Sequence, residues 1–400
     1  MTLKLGLHPW LQLLLRFNEM KKIYFVTVFI IIDLLLSQLF LLKILENDII
    51  KANRESFDNR IFNKNYNYTF KKQVQFTSQY DGNVYEIFTN DLGFRDESTQ
   101  LLDRDKEYSI IIGDSFVEGV GLDYKDTIVG ILNKNLANNE FKLLNAGVAS
   151  YSSYIYLKKI KTIIQTNQDL LIKDVIVFLD KSDVLDDELY LSKPEFFTNT
   201  KGKFINKRKE DFYKDLKELS FWRFFTKQTI SGNLIKILTN KLEDIASNIA
   251  KRYSLSKKLN KSFFKISNDE IRAIKSIQNK PHVKNWYLGK VWQEKSKKNI
   301  NFAINNLDEL KKFLDQRNIN LKVVLYPWSF EIENEEIRKK YLNYIIPLLN
   351  KKNIETFVIY DDFLSGNIYE NIGKSFLYND IHYNKNGNEI IANFLIKNLN

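Results

Sequence analysis

The sequence predicts an α/β protein: a parallel sheet flanked by helices, with a helical insertion and an N-terminal transmembrane helix. Three observations predict it. Short apolar runs at Ile110–Ile112, Asp174–Leu179 (DVIVFL) and Leu321–Tyr326 (LKVVLY) alternate with amphipathic stretches, the pattern of buried parallel strands joined by crossover helices. From Leu185 to about Asn299 that rhythm stops, and amphipathic helices separated by Lys-rich loops replace it. Ile23–Leu42 is mostly Ile, Leu, Phe and Val and is long enough to cross a bilayer.

Composition narrows the chemistry. The chain has 400 residues, of which 44% are hydrophobic, enough for one large domain with an insertion or for two domains. It has no cysteine, which excludes disulfides and thiolate catalysis. With three histidines and no HExxH or clustered ligands, no metal and no cofactor are expected. The net charge of +11 is concentrated: Lys201–Ile300 carries 25 Lys and Arg against 9 Asp and Glu, so the rest of the chain is net negative.

In chain order, residues 1–22 precede the span, and Lys21 and Lys22 place them in the cytoplasm with the bulk of the chain outside. Asp33 at the span's centre costs about 2.5–3.5 kcal/mol on insertion scales, which the Leu and Ile residues offset. No small-residue cleavage site follows the span, so residues 23–42 read as a retained signal anchor; a buried core helix is the alternative. Residues 43–65 are polar, Asn-rich and aperiodic, as in a stalk. Tyr66–Phe76 and Asn83–Thr89 alternate polar and apolar residues around Asp81-Gly82, a hairpin signal. Helices are expected at Thr127–Asn135, Tyr154–Gln165, Asn301–Gln316, Glu335–Lys351 and Glu389–Leu399, and further strands at Phe141–Leu144 and Thr356–Tyr360. The stretch 185–299 reads as an insertion between residues 66–184 and 300–400, a lid or substrate platform over the sheet edge. Its lysines form a solvated face or meet anionic lipid or glycan; an outward location disfavours nucleic acid.

The candidate site gathers around Tyr108–Leu122, YSIIIGDSFVEGVGL. An apolar strand turns at Gly113 and presents Asp114 and Ser115 at the carboxyl edge, where open α/β sheets place ligands. Either residue could simply cap the following helix. As a nucleophile, Ser115 needs a base that is itself oriented by a third group. His8 precedes the apolar span, and His282 has no carboxylate nearby in sequence. His382 stands two residues after Asp380, so the pair is Ser115 with His382. Asn145-Ala146-Gly147 ends a strand; a glycine there lets a backbone N–H approach an oxyanion closely, or serves an ordinary turn.

IIIGDSFVEGVGL, LLNAGVASYSS and NDIHYNKNG, in that order, resemble the blocks of the SGNH (GDSL-type) hydrolase superfamily. NDLGFRD at Asn90–Asp96 is similar to a leader of its bacterial envelope members. The Asp-x-His spacing resembles the branch with alginate and other exopolysaccharide O-acetyltransferases, rather than Asp-x-x-His, which would put Asn379 in the acid's place. The likeness covers about Asn90–Ser182 and Ile319–Asn400. It implies a flavodoxin-like sheet and a catalytic set of Ser115, His382 and Asp380, with Ser115, Gly147 and Ser182 around the oxyanion. Ser182 falls where the superfamily usually has asparagine, a departure that touches the third oxyanion donor. The resemblance further implies a single-pass protein of the inner membrane with its catalytic domain periplasmic. That domain would act on acetyl esters of a polysaccharide, with any acetyl donor supplied by a multi-pass membrane partner. A non-catalytic glycan-binding or scaffold protein is the alternative.

Overall fold

The computed structural model describes residues 24, 27–28, 31–32, 35, 51–52, 55–80, 83–136, 141–183, 187, 295–377 and 380–399. The chain divides into two compact units, Met1–Ile50 with Glu210–Ser262, and Lys51–Lys209 with Phe263–Asn400. Of the first unit only a few helical positions between Tyr24 and Leu35 are described.

Strands β1 (Arg60–Asn63) and β2 (Asn67–Phe70) form an antiparallel ribbon of their own. The main sheet holds β3 (Gln75–Tyr80), β4 (Asn83–Thr89), β5 (Arg95–Asp96), β6 (Glu107–Ile112), β7 (Phe141–Asn145), β8 (Leu171–Phe178), β9 (Asn320–Leu325) and β10 (Glu355–Val358). Its order is β10-β9-β8-β6-β7-β5-β4-β3. The five strands from β6 to β10 are parallel, and β5, β4 and β3 extend them antiparallel. The helices are α1 (Ser115–Glu118), α2 (Ile128–Asn135), α3 (Ser153–Thr166), α4 (Lys295–Asp315), α5 (Ser329–Glu333), α6 (Glu335–Lys351), α7 (Asp361–Leu364), α8 (Ile368–Ser375) and α9 (Lys385–Asn398).

The parallel strands are apolar without alternation because both their faces are covered. Ile110–Ile112, Val175–Leu179 and Val323–Leu325 are all buried. Numbered along the chain from β6, the parallel strands lie in the order 2-1-3-4-5, the flavodoxin-like arrangement. The strand order reverses between β6 and β8, and such sheets leave a crevice at the carboxyl ends of the strands at that point. Ser115 follows β6 directly.

The structure departs from the sequence reading in four places. The sheet is mixed, because the segment ahead of β6 adds three antiparallel strands. The expected first hairpin arm, Tyr66–Phe76, is broken: β2 pairs with β1, exposed Lys71 and Lys72 intervene, Gln73 adopts φ 51°, and only from Gln75 does β3 pair with β4. The expected stalk, residues 43–65, is folded in its later part, where residues 55–58 are helical and β1 begins at Arg60. Its polar residues have distant partners, chief among them Glu118 for Arg60. Finally, α4 starts at Lys295, inside the stretch assigned to the insertion. The rest of 185–299, apart from Asp187, lies outside the described residues, as does most of Ile23–Leu42. Among the described residues no helix is long and apolar enough to cross a membrane.

Candidate active site

Helix α1 is a single turn built to present Ser115. Asp114 is the N-cap: its Oδ1 accepts from Phe116 N–H at 3.0 Å. Gly119 ends the turn in the left-handed region, φ 76°, where a side chain would be strained. Ser115 is therefore the first helical residue, half-buried, with no intrahelical acceptor for its N–H. The backbone after it is clamped. Arg95 Nη1 donates to the carbonyls of Glu118 (2.6 Å) and Gly119 (2.8 Å), and Nη2 donates to those of Glu86 (3.3 Å) and Leu122. The buried Glu118 carboxylate pairs with Arg60 at 2.5 Å and accepts from Ala149 N–H at 2.6 Å.

The base arrives on a loop pinched at its neck. Phe376 and Tyr383 form an antiparallel bridge, Leu377 N–H donates to the His382 carbonyl at 2.8 Å, and the Tyr383 hydroxyl reaches the Pro327 carbonyl at 2.5 Å. Tyr383 packs among Phe116, Tyr326, Phe363 and Phe376, which fixes the loop to the end of β9 and to α1. Asn384 then caps α9 by accepting from Gly387 N–H.

These two loops bring the expected residues together. Ser115 Oγ lies 2.7 Å from His382 Nε2, and His382 Nδ1 lies 2.5 Å from Asp380 Oδ1. The ionised carboxylate can only accept, so Nδ1 carries the proton and Nε2 turns a lone pair to Ser115. Burial pushes the Asp380 carboxyl up, but the hydrogen bonds and positive charge of His382 and the Tyr80 hydroxyl outweigh it and hold it below the usual carboxylate range.

The expected oxyanion donors are differently engaged. Gly147 N–H donates to Asn145 Oδ1 at 3.1 Å, and Asn145 Nδ2 donates to the Val117 carbonyl at 2.8 Å. A Cβ at Gly147 would lie 2.6 Å from Glu118 N and from two Val117 atoms, so the glycine is needed to seat this turn on α1. The Ser182 hydroxyl and N–H both donate to Asp180 Oδ1, at 2.6 and 2.8 Å, while Trp328 Nε1 holds Asp180 Oδ2 at 2.7 Å. Asp183 takes the Tyr156 hydroxyl at 2.9 and 3.0 Å and Asp180 N–H at 2.9 Å; burial, then the neighbouring Asp114, Asp180 and Asp187, raise its carboxyl well above the usual range. Among the described residues no cluster of three His, Asp or Glu could hold a metal ion.

No family model matches the chain, and no curated protein matches it. Solved structures similar to it include a member of the lipolytic protein G-D-S-L family from Veillonella parvula, 10% identical over 73% of this chain and 97% of that one, with a TM-score of 0.36. A psychrotrophic esterase, EstA, from Pseudoalteromonas is 11% identical over 73% and 96% of the two chains, with a TM-score of 0.36. AlinE4, an SGNH-hydrolase family esterase, is 12% identical over 63% and 75%, with a TM-score of 0.30. Likenesses at this level assign no chemistry, which rests here on the side chains themselves.

Three residues of the site escaped the sequence reading: Arg60, Tyr80 and Arg95. Each reaches its partner across a long stretch of chain, and none carries a local signal beyond the NDLGFRD stretch around Arg95. There Asn90 Oδ1 accepts from Leu92 N–H (3.0 Å) and Phe94 N–H (3.1 Å), turning the chain so that Arg95 points at α1.

Proposed function

We propose that this chain is a serine esterase or O-acyltransferase acting through an acyl-serine intermediate on acetyl esters of a cell-envelope or extracellular polysaccharide. The observation that carries the chemistry is the continuous line from Ser115 Oγ through the His382 ring to Asp380, at 2.7 and 2.5 Å. His382 Nε2 takes the hydroxyl proton as Oγ bonds the acyl carbon. The bond to the leaving alcohol breaks as the imidazolium returns that proton to the departing oxygen. Water or a sugar hydroxyl then attacks the acyl-serine with His382 again as base, regenerating Ser115. Asp380 keeps Nδ1 protonated and offsets the imidazolium charge.

The carbohydrate substrate is supported by the Asp380-x-His382 spacing and its likeness to exopolysaccharide O-acetyltransferases. The apolar run Ile23–Leu42 supports an inner-membrane anchor with the site outside. For a transferase, one span cannot carry an acyl group across the bilayer, so the donor comes from a separate multi-pass membrane protein. A second reading, a non-catalytic glycan-binding member, is favoured by one observation: the Gly147 N–H and the Ser182 hydroxyl are already bonded to Asn145 and Asp180.

Incubation of the full-length protein with p-nitrophenyl acetate separates the two. Intact-mass and peptide analysis should find one acetyl group on Ser115, with p-nitrophenol released, and neither in Ser115→Ala. A folded wild-type protein that neither takes up an acetyl group on Ser115 nor releases p-nitrophenol faster than Ser115→Ala overturns the enzymatic reading and leaves the binding one.

A further inference from the structure

We propose that Tyr80, the last residue of β3, is a positioning residue that fixes the Asp380 carboxylate against His382. The inference rests on the serine-hydrolase reading above and extends it to a residue on an antiparallel strand of the same sheet.

The carboxylate's two oxygens are held differently. Oδ1 takes both the backbone N–H and the Nδ1–H of His382, at 2.9 and 2.5 Å. Oδ2 takes the Tyr80 hydroxyl at 3.0 Å. The terminal torsion of an aspartate has a broad, roughly two-fold preference, so Oδ1 contacts alone leave the carboxylate plane free to swing off the imidazole plane. The bond to Oδ2 pins that plane from its far side.

Tyr80 is well placed to act as a fixed post. It closes β3, paired in register with Asn83, and its ring meets the His382 ring edge-on at 5.0 Å and 83°. Its hydroxyl oxygen is also 2.9 Å from His382 Nδ1. With its own proton given to Asp380, that oxygen can only turn a lone pair toward Nδ1–H. It therefore stabilises the imidazolium that forms when Ser115 gives up its proton. His382 and Tyr80 hold the Asp380 carboxyl down, and the Asp114 carboxylate lies on the Ser115 side of His382, 3.4 Å from Ser115 Oγ.

The test is Tyr80→Phe in the full-length protein, which keeps the ring and removes only the hydroxyl. With p-nitrophenyl acetate, kcat should fall roughly 10- to 100-fold, the span expected for one hydrogen bond to a charged group, with KM within about twofold of wild type. The acidic limb of kcat/KM should move from its wild-type position, because the Asp380–His382 pair loses both a donor to the carboxylate and a lone pair facing Nδ1–H. The chain has only three histidines, so selective imidazole 15N labelling, assigned with His382→Gln, reads the same site without turnover. The Nδ1 resonance of His382 should shift in Tyr80→Phe. Wild-type kcat, pH limb and imidazole resonance in Tyr80→Phe would overturn the proposal. So would a fall in kcat that accompanies a lowered unfolding midpoint and leaves the imidazole resonance in place, since that describes a structural role. If wild type itself neither turns over nor acylates, the esterase reading fails, and the imidazole comparison still decides the placement of Tyr80.

Discussion

The site has two flanks built on opposite terms. On one, Ser115 opens α1 and His382 lies on a loop, both at the carboxyl edge of the parallel strands, and their side-chain polar atoms meet each other, Asp114, Asp380 and Tyr80. On the other, Arg60, Tyr80 and Arg95 meet the first flank, Arg60 pairing with the buried Glu118 carboxylate and Arg95 holding the backbone carbonyls of Glu118 and Gly119. The reacting flank can be cut with little loss of packing. The supporting flank cannot, because each arginine leaves buried acceptors behind. Ser115→Ala should therefore lower kcat by about 10⁴-fold or more with the unfolding midpoint unchanged, and Ser115→Ala/His382→Ala should be no worse than either single change, since nucleophile and base act as one unit. Steady-state kinetics beside urea unfolding checks both halves of that statement. A large stability loss in Ser115→Ala would erase the distinction between the flanks.

The converse experiment is Arg60→Met. It strands the Glu118 carboxylate, whose side chain is 0% exposed, and should cost about 3–5 kcal/mol in urea unfolding. Arg60→Met/Glu118→Met removes the orphaned charge and should recover part of that loss. A double variant as unstable as the single one would show that the arginine acts by packing over Phe70, where its guanidinium lies 4.5 Å from the ring centroid, rather than through the ion pair.

These flanks also differ in what the sequence reveals. Ser115 and His382 are legible because their signals are local: an apolar strand ending in a glycine turn, and an Asp-x-His ahead of a capped helix in a chain with three histidines. Arg60 is not, because an arginine in an Asn-rich stretch reads as solvated, and only its partner 58 residues away makes it structural. Tyr80 is one of 21 tyrosines, and its partners are 300 and 302 residues distant. The parallel strands were readable from apolar runs, whereas β5 is two residues long and forms only because Arg95 and its neighbours have somewhere to pair. Ser182 carried a signal, a departure from the asparagine expected there, but the acceptor of its hydroxyl is set by Asp180 and Trp328 together.

Lys159 sharpens the point. It lies in α3 and is fully buried, donating to the Ala146 carbonyl at 2.9 Å near the Phe94 and Tyr151 rings. Burial lowers it to about 7 from an ordinary 10.5. Between those values the unfolded chain binds a proton that the folded chain does not, so stability should rise with pH across that window, by at most about 1.4 kcal/mol per pH unit from this group. Urea unfolding at pH 7.5 and 9.5 should show a smaller gain in Lys159→Met than in wild type, the difference being this residue's share. Equal slopes would mean that Lys159 stays charged inside, and that the supporting structure near Ala146 is electrostatic after all.

The smallest effect is expected at Ser182, on the border between the flanks. Its hydroxyl gives its one proton to Asp180 at 2.6 Å, and Asp180 is held in turn by Trp328 at 2.7 Å. A hydroxyl has one proton to donate, so stabilising an oxyanion would require breaking a short bond to a carboxylate, the stronger kind of hydrogen bond. If that bond persists through the reaction, Ser182→Ala should change kcat by less than about threefold, far short of the roughly 10²- to 10³-fold cost of deleting an oxyanion donor. Ser182→Asn separates the remaining possibilities, because its amide can donate twice and could satisfy Asp180 and the oxyanion together. A rise in kcat with KM unchanged would show that the site lacks a donor it can use. A large fall in Ser182→Ala would show instead that the hydroxyl turns away from Asp180 in the transition state, and would place Ser182 on the reacting flank.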